Sequence, residues 1–322
     1  MFAVYATGFS TDDPLSGLVV GERPDPVAPD GWTTVTVKAA ALNHHDLWSL
    51  RGVGLKAEHL PMILGCDAAG HDEDGNEVVV HAVLCDPSWT GDETLDPRRT
   101  LLSERHQGTF ADTVVVPRRN VVPKPPSLSF EEAACLPAAW LTAYRMLFTQ
   151  GACKPGDVVL VQGVGGGVAT ALIMLARAAG LRVLATSRDE RKRERALEIG
   201  AHEVFESGTR LPVKVDAVME TVGRATWSHS VRSLRPGGKI VISGTTSGPQ
   251  PDDAELTRIF YRQLQVIGST MGTRDELASL ISFLDATGVR PLIDRVVPMV
   301  DARDAFATLA EGDVFGKVVM TR

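Results

Sequence analysis

The chain has 322 residues, of which 44% are hydrophobic and 23% charged, a balance that suits two packed domains and excludes a disordered or collagen-like chain. Its formal net charge of −7 gives no electrostatic reason to bind nucleic acid or an anionic membrane. The start, MFAVYATGFSTDD, has neither the basic nor the apolar part of a signal peptide, no segment reaches the roughly 18 apolar residues of a membrane span, and Cys66, Cys85, Cys135 and Cys153 show no metal or disulfide spacing; a cytoplasmic protein with reduced thiols is expected.

From Met1 to about Val122 short strands alternate with turns. GWTTVTVKAAAL, NEVVVHAVL and GTFADTVVVP are rich in β-branched residues and are separated by Gly, Pro and Asp. Residues 86–108 have no apolar period and read as a surface loop. Pro123, Pro125 and Pro126 then mark a boundary, after which SLSFEEAACLPAAW opens with a Ser and acidic residues suited to a helix start. Beyond it, VVLVQ, LRVLATS, VDAVMETVG, KIVISG and QVIGSTMG read as strands, with helices or turns between them, including the turn RPGG. This alternation predicts βαβ units and a parallel sheet. The tail adds a helix RDELASLISFLDATG, a strand LIDRVVPM, a helix DARDAFATLAEG and a last strand GKVVMT.

The segment VVLVQGVGGGVATALIMLARAAG, residues 158–180, combines a buried strand, a Gly-rich turn and an apolar helix ending at Gly180. Its register is Gly163-x-x-Gly166-x-x-Ala169. Missing side chains at Gly163, Gly165, Gly166 and Gly167 allow a tight turn and bring backbone N–H groups to a diphosphate at the helix N-terminus. A dinucleotide is the expected ligand. The next strand ends about 20 residues later, where an acid would bind NAD ribose hydroxyls. Here it ends Thr186-Ser187-Arg188, with Lys192 one turn further. A Ser hydroxyl and two cations suit a 2′-phosphate, so NADPH is expected, although Asp189 and Glu190 stand close by. Thr221-Val222-Gly223 and Gly244-Thr245-Thr246 follow the next two strands, at the strand ends where such sheets bind ligands.

The order of these pieces, with VGGGVA, ETVG, LRPGGKIVISGTTSG, IGSTMGTRDE, FGKVVM, LNHHDLWSLRG and LPMILGCDAAG, resembles the medium-chain dehydrogenase/reductase superfamily, in its zinc-independent quinone oxidoreductase-like branch. The resemblance implies an α/β chain made of a GroES-like β-rich catalytic domain, residues 1–122 and 272–322, and an inserted Rossmann domain with a doubly wound parallel sheet, residues 123–271. It implies cofactor contacts at Thr142, Gly166, Gly167, Val168, Ser187, Lys192, Thr221, Val222, Ser243, Gly244, Thr245, Ser269, Thr270 and Met271, with Gly163 and Arg188 added from the motif itself. Lys317 matches a basic residue near the diphosphate. The resemblance also implies a homodimer, paired through the QVIGSTMG strand.

Zinc-dependent relatives would place Cys at Asn43, His and Glu at Cys66 and Asp67, and a third ligand Cys at Ala138. No metal is therefore expected, and adjacent His44 and His45 do not both face one ion easily. Without a Lewis acid, conjugated acceptors are favoured over plain ketones. Hydride addition to a quinone or an α,β-unsaturated carbonyl leaves an oxyanion, for which the Asn43 amide is a candidate donor, and His45 or a nearby water a candidate proton source. The other readings are an alcohol dehydrogenase with a non-standard metal site among His44, His45, Asp46, Cys66 and Asp67, and a non-catalytic NADPH-binding protein. The substrate is a small molecule whose identity the pocket loops do not encode.

Overall fold

A computed structural model describes residues 1–322. The chain divides into two compact units, Met1–Leu141 with Met271–Arg322, and Thr142–Thr270. No helix is long and apolar enough to cross a membrane.

The first unit is mostly strand: β1 (Phe2–Ala6), β2 (Leu18–Glu22), β3 (Trp32–Ala41), β4 (Met62–Ile63), β5 (Asp67–Asp72), β6 (Glu77–Val80), β7 (Val83–Leu84), β8 (Thr100–Leu101), β9 (Thr113–Pro117) and β10 (Val121–Pro123), with helix α1 (His44–Leu50) after β3. In β3 the period of two is visible: Val35, Val37 and Ala39 are buried while Thr36 and Lys38 are exposed. Helix α2 (Phe130–Ala134) is held by a capping box, in which Glu132 N–H donates to the Ser129 hydroxyl at 3.2 Å and Ser129 N–H donates to the Glu132 carboxylate at 2.9 Å. Helix α3 (Leu141–Tyr144) follows.

The second unit alternates β11 (Val158–Val161), α4 (Gly167–Ala178), β12 (Arg182–Thr186), α5 (Glu190–Glu198), β13 (Glu203–Phe205), β14 (Val215–Glu220), α6 (Trp227–Ser233), β15 (Leu234–Ile242), α7 (Leu256–Tyr261) and β16 (Gln265–Gly268). Its six strands are all parallel, in the order β13-β12-β11-β14-β15-β16. This is the 3-2-1-4-5-6 order of a doubly wound nucleotide-binding sheet, and its direction reverses between β11 and β14. The chain then re-enters the first unit as α8 (Arg274–Thr287), β17 (Ile293–Pro298), α9 (Ala302–Glu311) and β18 (Lys317–Thr321). Strand β18 pairs antiparallel with β3 through Val319–Ala41, Met320–Ala40 and Thr321–Ala39, so the last strand lies inside the first-made sheet.

Two local expectations change. Residues 86–108 are not simply a surface loop: β8 pairs with β7, and Leu102 and Ser103 are fully buried, because the end of the segment turns inward onto Cys66. The expected turn at Arg235-Pro236-Gly237-Gly238 is absorbed into β15, where the register against β14 shifts.

Candidate active site

In the second unit the strand ends converge on the Gly-rich turn. Gly163 has φ +71°, and a Cβ there would lie 2.4 Å from Val222 Cγ2, so only glycine lets the turn pass this close to the end of β14. Val164 N–H donates to Thr186 O at 2.9 Å, tying the turn to the end of β12. Gly166 is the N-cap of the 12-residue α4, Gly167 and Val168 are its first residues, and Ala169 is 3% exposed where the helix packs. Thr246 and Ser247 N–H groups donate to the carbonyls of Thr221 and Val222 at 3.3 and 2.8 Å, and Ser243 N–H donates to Glu220 O at 3.0 Å. Gly244 packs on Thr221, and Thr245 is exposed in the same turn. Sequence residues 163–168, 221–223 and 243–247 thus form one rim.

Next to them, Ser187 is 6% exposed at the end of β12, Arg188 is exposed, and the Lys192 chain lies along the turn, its Nζ 3.1 Å from where a Gly165 Cβ would stand. The Asp189 carboxylate accepts Lys192 N–H at 3.2 Å as the N-cap of α5. Ser269 N–H donates to Ile242 O at 2.8 Å, and its buried hydroxyl has no protein partner; Thr270 beside it is exposed. Thr142 is buried at the start of this unit. Met271, φ +49°, belongs to the first unit and packs against its core.

Below the rim lies a polar network that sequence reading missed. Glu220, fully buried, accepts the N–H groups of Val222 and Gly223 at 2.8 and 3.0 Å and the hydroxyls of Thr226 and Ser230 at 2.8 and 2.6 Å. Gln162 Nε2 donates to Ser230 Oγ at 2.9 Å, while its Oε1 accepts from Thr186 Oγ1 at 2.5 Å. The signals were a Gln and a Glu ending two otherwise apolar strands, VVLVQ and DAVME.

The first unit holds a second cluster. Lys317, 2% exposed, donates from Nζ to Leu42 O at 2.7 Å, Asn43 Oδ1 at 2.7 Å and Asp67 Oδ2 at 3.0 Å. Asn43 Nδ2 donates to Asp67 Oδ2 at 2.9 Å and Ala41 O at 3.3 Å, and Ala138 N–H donates to Asp67 Oδ1 at 2.7 Å. Two expectations are corrected here. Both Asn43 amide hydrogens are committed, so this amide is not a spare donor for an oxyanion. Lys317 spends its three ammonium hydrogens inside this cluster, which leaves none for a diphosphate.

This cluster also tests zinc. The three family ligand positions carry an amide oxygen bonded to an ammonium (Asn43), a thiol (Cys66) and a methyl group (Ala138), and no group of three His, Cys, Asp or Glu side chains converges to hold a metal ion. The residues do not fit a tetrahedral zinc site.

Asp46 closes the start of α1. Its carboxylate accepts Asn43 N–H at 2.8 Å and Gly65 N–H at 3.2 Å, while burial raises its pKa to about 6, against the pull of His45. His45 sits between two partners, Cys66 Sγ 3.5 Å from Nδ1 and Glu104 Oε1 3.3 Å from Nε2. Burial alone would favour the neutral ring, but Cys66, Glu104 and Asp46 outweigh it and hold the His45 pKa well above its ordinary value. Burial also works against the charge on Glu104, yet His45, Leu101 N–H and Thr100 hold its carboxyl below the usual range. The Cys66 thiol, pushed up by burial, donates to Leu102 O at 3.2 Å. A surface cavity of about 380 Å³ lined by Arg23, Pro26, Trp32 and His106 contains none of the expected site residues.

Residues 29–126 match the alcohol dehydrogenase GroES-like domain and residues 167–286 the zinc-binding dehydrogenase family. A solved NAD-dependent alcohol dehydrogenase superposes with a TM-score of 0.92 at 34% identity, covering 100% of both chains. The acryloyl-coenzyme A reductase of Sulfurisphaera tokodaii is 26% identical over 95% of this chain and 97% of its own. The quinone oxidoreductase of Lama guanicoe is 26% identical over 92% of this chain and 90% of its own. With a GroES-like unit, a Rossmann sheet and near-full-length relatives of this kind, the chain belongs to the medium-chain dehydrogenase/reductase superfamily of oxidoreductases.

Proposed function

We propose that this oxidoreductase uses NADPH to reduce a quinone or an α,β-unsaturated carbonyl compound without zinc. The observation that carries the reading is the Lys317–Asn43–Asp67 cluster: a buried ammonium already neutralises the carboxylate at the metal motif, and the ligand positions offer no thiolate or imidazole set. A plain carbonyl then lacks the Lewis acid that would polarise it, while a conjugated acceptor spreads the developing charge. The acryloyl-coenzyme A reductase and the quinone oxidoreductase among the relatives act on acceptors of this kind by name.

NADPH fits the second unit, where it would be held by Gly163, Gly166 and Gly167 at the turn, by Ser187, Arg188 and Lys192 at the ribose phosphate, and by the unpartnered Ser269 hydroxyl. When bound, it supplies the hydride. His45 carries the positive charge that offsets the resulting oxyanion, and the imidazolium or a water that it orients supplies the proton. The four unpaired cysteines suit a reducing cytoplasm, and the working form is a homodimer paired along β16.

The test is a spectrophotometric screen of NADPH oxidation over quinones, enones, enoyl thioesters, aldehydes and ketones, run beside metal analysis of the purified protein. Conjugated acceptors should turn over in metal-free protein. Stoichiometric zinc lost together with activity, or turnover confined to simple alcohols and aldehydes, overturns the reading; tight NADPH binding with no acceptor reduced would indicate a binding protein.

A further inference from the structure

The segment between β7 and β9 has no readable motif, yet it contains a buried, constrained turn at Ser103. Ser103 is fully buried with φ +68°, an uncommon conformation for a residue with a Cβ. Its N–H donates to His106 O at 2.9 Å. The turn places two groups on the same His45–Cys66 pair: the Leu102 carbonyl receives the Cys66 thiol at 3.2 Å, and the Glu104 carboxylate faces His45 Nε2 at 3.3 Å. Glu104 is itself fixed, because Leu101 N–H and Thr100 Oγ1 donate to its other oxygen at 3.2 and 3.4 Å. Gly54, φ +83°, gives it room: a Cβ there would stand 3.1 Å from Glu104 Oε1.

We propose that Glu104 is a positioning residue for reduction, clamping the His45 ring between its carboxylate and the Cys66 thiol so that the ring stays doubly protonated where the oxyanion forms. A consistent set of hydrogen-bond directions gives this state. With the Cys66 hydrogen given to Leu102 O, the sulfur can only accept from Nδ1–H, and an ionised Glu104 can only accept from Nε2–H. The titratable groups around the ring are Asp46 on its own helix, Cys66 at the entry to β5 and Glu104 from the turn, with Asp67 and Lys317 beyond Asp46. One side-chain face remains open, since His45 is 20% exposed and Glu104 23%. The proposal rests on the reduction reading above, but its first measurement needs no substrate.

NMR titration of the His45 imidazole is compared in the wild type, Glu104→Gln and Glu104→Asp, followed by turnover against pH with the best acceptor. In Glu104→Gln the His45 midpoint should fall by about one unit. The alkaline limb of kcat should fall with it, giving kcat about two- to fivefold lower between the two midpoints and approaching tenfold lower above the wild-type midpoint, with KM for NADPH unchanged. Glu104→Asp should recover part of both. An unmoved His45 midpoint in Glu104→Gln overturns the clamp even if no acceptor is ever found. A midpoint that moves while the kcat limb stays in place overturns its role in reduction. Failure of every acceptor with the midpoint shifted defeats the reduction reading and, with it, this role for Glu104.

Discussion

Asp189 stands where an acid would discriminate between nucleotides, but its carboxylate is turned into the start of α5, accepting Lys192 N–H at 3.2 Å. Its own N–H donates to Ser187 Oγ at 3.2 Å. At this strand end Arg188, Glu190 and Arg191 are exposed, the Lys192 chain lies along the Gly165 turn, and Arg193 Nη1 donates to Ser187 O at 2.9 Å. Replacing Arg188 and Lys192 by Ala should weaken NADPH by about ten- to hundredfold, the worth of one or two charge-assisted hydrogen bonds, and NADH much less. Calorimetric titration of both nucleotides checks this, and an unchanged NADPH to NADH ratio would sink the 2′-phosphate assignment. The cations could be read from sequence because their spacing after the Gly turn is set by one strand and one helix. Which of Arg188, Asp189 and Glu190 faces a ligand could not, because an N-cap and a ribose contact ask for the same residue type in the same place.

The Lys317–Asp67 pair joins four parts of the chain: Lys317 at the start of β18, Asp67 at the start of β5, Asn43 at the head of α1, and Ala138 after α2, whose N–H Asp67 accepts. Side-chain exposures of 2% and 0% for Lys317 and Asp67 leave no water to take over when one partner goes. Lys317→Met should therefore cost about 3–5 kcal/mol in urea unfolding, the penalty of a stranded buried charge, and Lys317→Met with Asp67→Asn should recover a large part of it. A single variant as stable as wild type would show that the carboxylate finds another partner. The strands and helices of this chain were legible because their apolar periods and caps are local: the Ser and acidic residues at 129–132 start α2, and the helix read as RDELASLISFLDATG ends at Gly288. The clusters were not, because Asn43, Asp67 and Lys317 are brought together across the whole sequence, and Glu104 reaches His45 only through the buried turn at Ser103. A resemblance supplied positions for Asn43 and Lys317 but not the bonds that occupy them.

At the level of the molecule, β16 ends the parallel sheet with its outer edge unpaired, and Val266 on it is 46% exposed. An edge of this kind invites a second copy. Wild-type protein should sediment at twice the monomer mass, and Val266→Lys should shift it to the monomer; a wild type that sediments as a monomer would remove the dimer from the proposal. The return of β18 into the first sheet has a further consequence, one of timing. Asp67 leaves the ribosome 250 residues before the lysine that neutralises it, about 12 to 50 s earlier at common rates of synthesis. Throughout that interval β3 lacks one neighbour and the second unit, contiguous in sequence, is free to fold first. Until β18 is made, the first unit keeps an open edge on β3 and an unpaired buried acid at Asp67, so it can be completed only after the whole of the second unit has been synthesised.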